Sequence, residues 1–281
     1  MLDHIKGIGN KATGVDGLTS HMIKSQKLSR AFAEKLATFF TDALSKIQIP
    51  EYFATARIIP LSKTQLYDPN VGDVRCLYVL PQIFKLLELC IFTRLSSEMA
   101  DKAPLHPAQM GLTPGKSTLH NVHKLLDHIE EAKQHALSER RRARNPQHRI
   151  QTFVVSTDFS KAFDCVNHER LLAKLFKRNI SGCLLKFLAH FYDSSAGIIN
   201  DITVKTKVGV PQGCVTSPFL WNVYVDDLCQ TLAEEGLTPL LYADDACWIA
   251  RGNMQLIKSI KLVENWCAPT TSPSTRPSPR S

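Results

Sequence analysis

Two adjacent carboxylates, Asp244 and Asp245, sit between the apolar runs Leu240-Leu241-Tyr242-Ala243 and Ala246-Cys247-Trp248-Ile249-Ala250. Strand formers on both sides predict a β-hairpin with the two aspartates at its bend. Tight hairpins prefer Asn-Gly or Asp-Gly there, and neighbouring carboxylates repel unless a cation neutralises them. Breaking both rules points to function before stability. The cation suited to hard oxygen donors and shared with substrate phosphates is Mg²⁺. Alone, the dipeptide reads as an ordinary acidic turn. A second acidic site changes the weighing: residues 152–157 read as a strand ending on Asp158, and Asp164 follows after Phe159-Ser160-Lys161-Ala162-Phe163. Paired beside the hairpin, this strand brings Asp158 to Asp244 and Asp245. Three carboxylates on one sheet edge suit two-metal phosphoryl transfer, in which two ions clamp the attacking and leaving oxygens.

Tyr242-Ala243-Asp244-Asp245 resembles the signature box of reverse transcriptases, and Asp158-Phe159-Ser160-Lys161-Ala162-Phe163-Asp164-Cys165-Val166-Asn167-His168 resembles the catalytic box that precedes it. The wording of the second box is closest to non-LTR (LINE-like, jockey-type) retrotransposons. Between them, Gly209-Val210-Pro211-Gln212-Gly213-Cys214-Val215-Thr216-Ser217-Pro218 resembles the family's glycine box. Three boxes in the family's order extend the resemblance over nearly all of residues 11–267.

The resemblance implies an α+β fold, the fingers and palm of a right-hand polymerase, with an antiparallel palm sheet flanked by helices. Residues 1–150 would be fingers and 151–267 palm core. It implies RNA-directed DNA polymerase activity on an RNA template and DNA primer, with dNTPs and two Mg²⁺ ions (Mn²⁺ being the alternative). Asp158, Asp244 and Asp245 would be catalytic and hold the metals, helped by the Phe159 backbone. Arg57, Lys63 and Arg75 would grip the triphosphate. Phe163 would be the bulky gate that rejects a ribose 2′-hydroxyl, and Gln212 and Gly213 would meet the nucleotide. Gln109, Gly115, Lys116 and Tyr242 would contact template or primer. Two departures stand out: Lys116 replaces the family's Arg, and Arg75-Cys76-Leu77-Tyr78 replaces Arg-Pro-Ile-Ser.

The elements that must position these residues are readable from the pattern. Helical periodicity covers residues 19–46, with Phe32, Leu36, Phe39, Phe40 and Leu44 on one stripe. Residues 53–61 read as a strand with Pro60 near its end. Residues 83–99 form an amphipathic helix, with Leu86, Leu87, Leu89 and Leu95 inward and Lys85 and Glu88 as a surface pair. A glycine-rich loop, Gly111 to Gly115, opens a helix at Thr118, a ready anion site. His120, His123 and His128 on that helix read as solvated or packed side chains, and Arg140-Arg141-Arg142-Ala143-Arg144 as an exposed connector. Asn167 caps a helix whose Leu171, Leu172, Leu175 and Phe176 face inward. A helix covers residues 182–192, and residues 198–208 are two strands around Asn200-Asp201. Ser217 caps a further helix with Pro218 at its first position, running to about Leu232.

The chain has 281 residues, 44% hydrophobic and 21% charged, enough for one or two domains with a sizeable core. Its formal charge of +8 and pI of about 9.1 suit a polyanionic partner such as nucleic acid. Eight cysteines occur without a Cys-x-x-Cys pair, which argues against a zinc site. Most lie in apolar runs, as buried free thiols in a reducing compartment would. No apolar run approaches the ~20 residues that span a bilayer, and residues 1–6 lack the core of a signal peptide. A soluble intracellular protein is expected, nuclear if it serves a chromosomal mobile element. After residue 267 the text turns to Pro, Ser and Thr, so 268–281 is expected to be a disordered tail. The thumb is expected to be missing, no endonuclease segment is expected before residue 1, and a frameshift would explain the change of composition. The competing reading is a truncated, catalytically inactive remnant that at most binds nucleic acid. An RNA-templated RNA polymerase is disfavoured by Tyr-Ala-Asp-Asp in place of Gly-Asp-Asp and by Phe163.

Overall fold

A computed structural model describes residues 12–24, 30–62, 74–111, 113, 115–142 and 151–268. In chain order the elements are α1 (Ser20–Lys24), α2 (Arg30–Lys46), a 3₁₀ turn (Glu51–Phe53), β1 (Thr55–Ser62), β2 (Val74–Val79), α3 (Gln82–Lys102) and α4 (Thr118–Arg142). They continue with β3 (Thr152–Asp158), a 3₁₀ turn (Phe163–Cys165), α5 (His168–Lys177), α6 (Gly182–Ser194), β4 (Ala196–Ile199) and β5 (Ile202–Lys205). The last are α7 (Ser217–Glu234), β6 (Thr238–Tyr242), β7 (Asp245–Arg251) and α8 (Gly252–Cys267).

Among the described residues the strands form two sheets. In the order β3-β7-β6 all pairs are antiparallel. In the order β2-β1-β4-β5, β1 pairs antiparallel with β2 and parallel with β4 through Thr55, Ala56 and Arg57. The β4–β5 hairpin turns through Asn200 (φ 46°) and Asp201 (φ 65°). Two consecutive left-handed residues are what a two-residue hairpin of matching twist requires, and Asn and Asp tolerate that region best after glycine.

The core is a single cluster that joins both sheets, from Phe53, Ala54 and Ala56 to Leu241, Ala246 and Trp248. Its axis is α7. Residues 220–226 are buried without a gap, so this helix is surrounded on all sides instead of showing one apolar stripe. Phe84 of α3 stacks on Phe191 of α6 with ring centroids 4.9 Å apart. Among the described residues no helix is long and apolar enough to cross a membrane.

Several expectations change. The helix expected over 19–46 is two helices, α1 and α2, with residues 25–29 outside the described set. Phe39 is exposed, because Ala33, Leu36, Phe40 and Ala43 define the buried stripe. Phe176 is 71% exposed on α5, where Leu171 and Leu175 alone are fully inside. Of the arginines expected in a connector, Arg140, Arg141 and Arg142 continue α4, and Arg144 lies outside the described residues. Ser217 is the first helical residue of α7, Thr216 the cap and Pro218 the second position. All eight cysteines are free, but only Cys214 and Cys229 are buried and three are exposed.

The expected Lys85–Glu88 surface pair is overturned. Glu88 is buried, with 3% of its surface exposed, and accepts hydrogen bonds from the Thr216 backbone N–H (2.9 Å) and hydroxyl (2.7 Å). Its periodic position could not reveal this, since the partner lies 128 residues away. Of the tail only Ala268 is described; residues 269–281 lie outside the described set.

Candidate active site

The site begins with register. Antiparallel pairing of β3 with β7 sets Asp158 opposite Asp245 at the end of both strands. The β6–β7 hairpin closes with Tyr242 opposite Asp245, so the bend is Ala243-Asp244 and Asp245 already belongs to the strand. Ala243 takes φ 56° there, a left-handed conformation that costs a Cβ-bearing residue energy. Four contacts over-determine it. The Trp221 indole Nε1–H donates to the Ala243 carbonyl (2.7 Å), and the Phe159 N–H donates to the Asp244 carbonyl (3.1 Å). Met110 N–H donates to the Leu241 carbonyl, and Leu241 N–H to Ala108 (both 3.0 Å). Beside these bonds, a Cβ added to Gly111 would lie 2.1 Å from the Ala243 nitrogen, so only glycine fits. Asn222 Nδ2 holds the Gly111 carbonyl at 2.8 Å. Strain of this kind, locked by its surroundings, is a feature of functional turns.

All three carboxylates are exposed. Asp158 and Asp245 face each other in register, whereas Asp244 lines a neighbouring cavity of about 370 Å³. Among the described residues no group of three or more His, Cys, Asp or Glu side chains is close enough to hold a metal ion. The donor set itself fits a hard divalent cation, being all carboxylate oxygen on two opposed strand ends.

The cavity at Asp244 gathers several predicted residues. Arg75, Phe163, Gln212 and Gly213 line it, together with Lys161 and Asp164. Its wall is built by docking the glycine box onto the first acidic box. Val210 N–H donates to the Phe163 carbonyl and Gly209 N–H to Val166 (both 2.8 Å). Gly209 (φ 90°) and Gly213 (φ 109°) make this possible: added Cβ atoms would crowd Asp164 at 3.0 Å and the Tyr78 carbonyl at 3.1 Å. Their close approach is thus to this chain's own backbone. Tyr78 N–H donates to the Gln212 carbonyl (2.8 Å), which ties β2 to the loop. The Gln212 amide Nε2 donates to Asp164 Oδ1 (3.1 Å). His168 Nε2 bonds the Gly209 carbonyl (2.7 Å), and burial lowers its pKa. Phe163 is half-buried and stacks against Trp221, centroids 6.1 Å apart.

Other predicted residues lie elsewhere. Arg57 pairs with Val79, four register positions from the Leu61–Arg75 pair. It does not line this cavity, so of the two described residues of the proposed phosphate grip Arg75 alone lines it; Lys63 lies outside the described residues. Gln109 is 1% exposed, bridges to Leu241, and leaves both amide atoms without a hydrogen-bond partner. It supports the hairpin from inside and is not presented to a template. Gly115 (φ 76°) and Lys116 are exposed, the Lys116 ammonium donating to the Gln109 carbonyl at 3.4 Å. Tyr242 is half-buried beside Asp245 in a small separate cavity. Sequence reasoning did not assign Glu88, Trp221 or Asn222 to the site. The available signal was a polar Asn inside the apolar run Phe219-Leu220-Trp221-Asn222-Val223.

Residues 62–271 match the family described as reverse transcriptase (RNA-dependent DNA polymerase). The chain is 26% identical over 264 residues to the RNA-directed DNA polymerase from mobile element jockey of Drosophila melanogaster, covering 90% of this chain and 27% of that protein. It is 27% identical over 285 residues to the retrovirus-related Pol polyprotein from type-1 retrotransposable element R2 of Popillia japonica, covering 93% and 36%. A transposon TX1 protein of Xenopus laevis matches at 25% over 287 residues, covering 94% and 20%. The chain therefore spans only a fifth to about a third of the length of these relatives.

Proposed function

The chain belongs to the reverse transcriptase family, and from that premise we propose that it is the nucleotide-adding domain of a non-LTR mobile element, joining dNTPs to a primer 3′-hydroxyl under RNA direction. The observation that carries this reading is the register that faces Asp158 with Asp245 at one end of the β3–β7 pair, beside the Asp244 cavity. Asp158, Asp244 and Asp245 would hold Mg²⁺ or Mn²⁺, with the Phe159 backbone beside them. Two such ions, when bound, supply Lewis-acid activation of the hydroxyl and neutralise charge on the leaving pyrophosphate. The rest follows from this chain's own side chains. Arg75 places a permanent cation on the cavity wall, where a triphosphate gains charge-assisted hydrogen bonds. Phe163 closes the side occupied by a sugar, and its ring is held in place by Trp221. Gly213 exposes backbone to the nucleotide, and Gln212 is oriented by Asp164. Gly115, Lys116 and Tyr242 remain assigned to template or primer.

Asp244 lines a cavity that Asp158 and Asp245 do not line, which favours a second reading, a fold that binds nucleic acid without adding nucleotides. Primer extension on an RNA template with dNTPs and Mg²⁺ separates the two. Extension by the parent protein and a loss of at least about 10³-fold in Asp158→Ala and Asp244→Ala support the polymerase. Equal extension by the variants sinks the carboxylate assignment, and folded parent protein that never extends supports the second reading.

A further inference from the structure

Two further cavities lie along α5 and α7; the first reaches Asp158 and shares only Ala162 with the cavity at Asp244. The first, about 310 Å³, has Asp158 and Phe159 at one end and Trp266 and Arg170 at the other. The second, about 580 Å³, begins at the same Arg170 and continues past Lys174, Lys177 and Arg178. Arg170 lines both, so the two cavities adjoin at this side chain.

The first part is aromatic. Phe159 and Trp266 are half-buried with centroids 5.8 Å apart, backed by the buried Trp221 and Tyr224. The Arg170 guanidinium lies 4.7 Å from the Trp266 ring centroid and 5.4 Å from that of Tyr224. The second part is cationic. Lys174 pairs with Asp227 (2.7 Å) and Arg178 with Asp226, so those charges are balanced. Arg170 and Lys177 remain in excess, and Lys177 makes no ion pair among the described residues. They sit seven residues apart on α5, on the same face and about 10 Å apart along the helix axis. One free phosphate does not span that separation, whereas successive phosphodiesters do.

Aromatic rings followed by unbalanced cations are the two parts of a single-strand nucleic-acid site: bases stack on the rings and phosphates follow the charge. We infer that the path from Phe159 and Trp266 to Arg170 and Lys177 binds a single strand of nucleic acid, separately from the nucleotide cavity at Asp244. The strand places a base in the aromatic part and its backbone along α5.

The test uses the full chain and a labelled single-stranded oligonucleotide of about 12 nucleotides, as RNA and as DNA, without primer, dNTP or divalent metal. Binding is read by fluorescence anisotropy across a salt series. Nucleotide addition plays no part, so failure of the polymerase reading leaves this result intact. Lys177→Glu weakens binding roughly 5- to 10-fold and lowers the salt slope by about 1. Trp266→Leu weakens it by about 5-fold or more with little change in slope. Lys186→Glu, the same charge change at an exposed site on α6, has less than a twofold effect. Equal losses in the Lys177 and Lys186 variants would reduce the binding to net charge and overturn the proposal. So would unchanged binding by Lys177→Glu, which decides the matter even where Trp266→Leu fails to fold. Displacement of the strand by equimolar inorganic pyrophosphate would also overturn it, assigning the cations to a free phosphate. Binding of RNA alone, or of RNA and DNA equally, supports it.

Discussion

Phe163 has two neighbours with different demands: its ring stacks on Trp221, and it also lines the cavity beside Asp244. Replacing it by Ala removes the bulk next to a bound sugar and leaves Asp158 and Asp245 in register. The preference for a dNTP over the matching rNTP should then fall about 10- to 100-fold in single-nucleotide extension. An unchanged ratio with a lowered melting temperature would assign the ring to packing alone. Residues whose role depends on local chemistry were legible in the sequence. Asn167 caps α5 by accepting from Arg170 N–H (2.8 Å), Asn200-Asp201 forms its turn, and the aspartate-ended strand pairs beside the hairpin. Residues whose role depends on a distant partner were not. Arg57 and Arg75 look equivalent in sequence, and only strand register separates them. Gln109 reads as a loop residue, yet parallel bridging to Leu241 buries it.

At the scale of elements, α3 and the start of α7 are joined through Glu88. Burial, the largest cause, raises its carboxyl pKa above the ordinary 4.5, although the Thr216 hydrogen bonds act in the opposite direction. The folded protein therefore keeps this proton to higher pH than the unfolded chain does. Between 4.5 and the raised folded value the unfolded chain binds fewer protons, so stability falls as pH rises and is level above that range. Glu88→Gln keeps an acceptor for Thr216 and cannot ionise. Its urea midpoint should lose that fall while matching or exceeding the parent near neutrality. A variant whose midpoint tracks the parent at every pH would place the proton elsewhere. The same contact explains why α3 was misread: its 21 residues show almost no amphipathic contrast once Gln82 and Glu88 are seen to be buried. A buried carboxylate contradicts the polar-outward pattern that the reading relied on.

Across the whole molecule, the two sheets share one core, and each depends on residues from the other side of position 150. The pairing of β1 with β4 joins strands about 140 residues apart, and nothing local announces it. Strand composition could suggest β4 and β5 as a hairpin but not the sheet they complete. In exchange, Ala108, Met110 and Gly111 from the first half brace the turn that carries Asp244. Each half therefore ends up incomplete, and in complementary ways. A fragment of residues 1–150 lacks the strand that flanks β1, and one of residues 151–281 lacks the support beneath its hairpin. Expressed separately, both should show poor near-ultraviolet circular dichroism and exposed apolar surface; expressed together, they should co-purify as one folded particle. A second half that folds alone would contradict this. The molecule cannot be divided at its apparent midpoint into two working modules, yet that cut is where it should lend itself to reassembly from two pieces, in the manner of a split reporter whose signal reports their meeting.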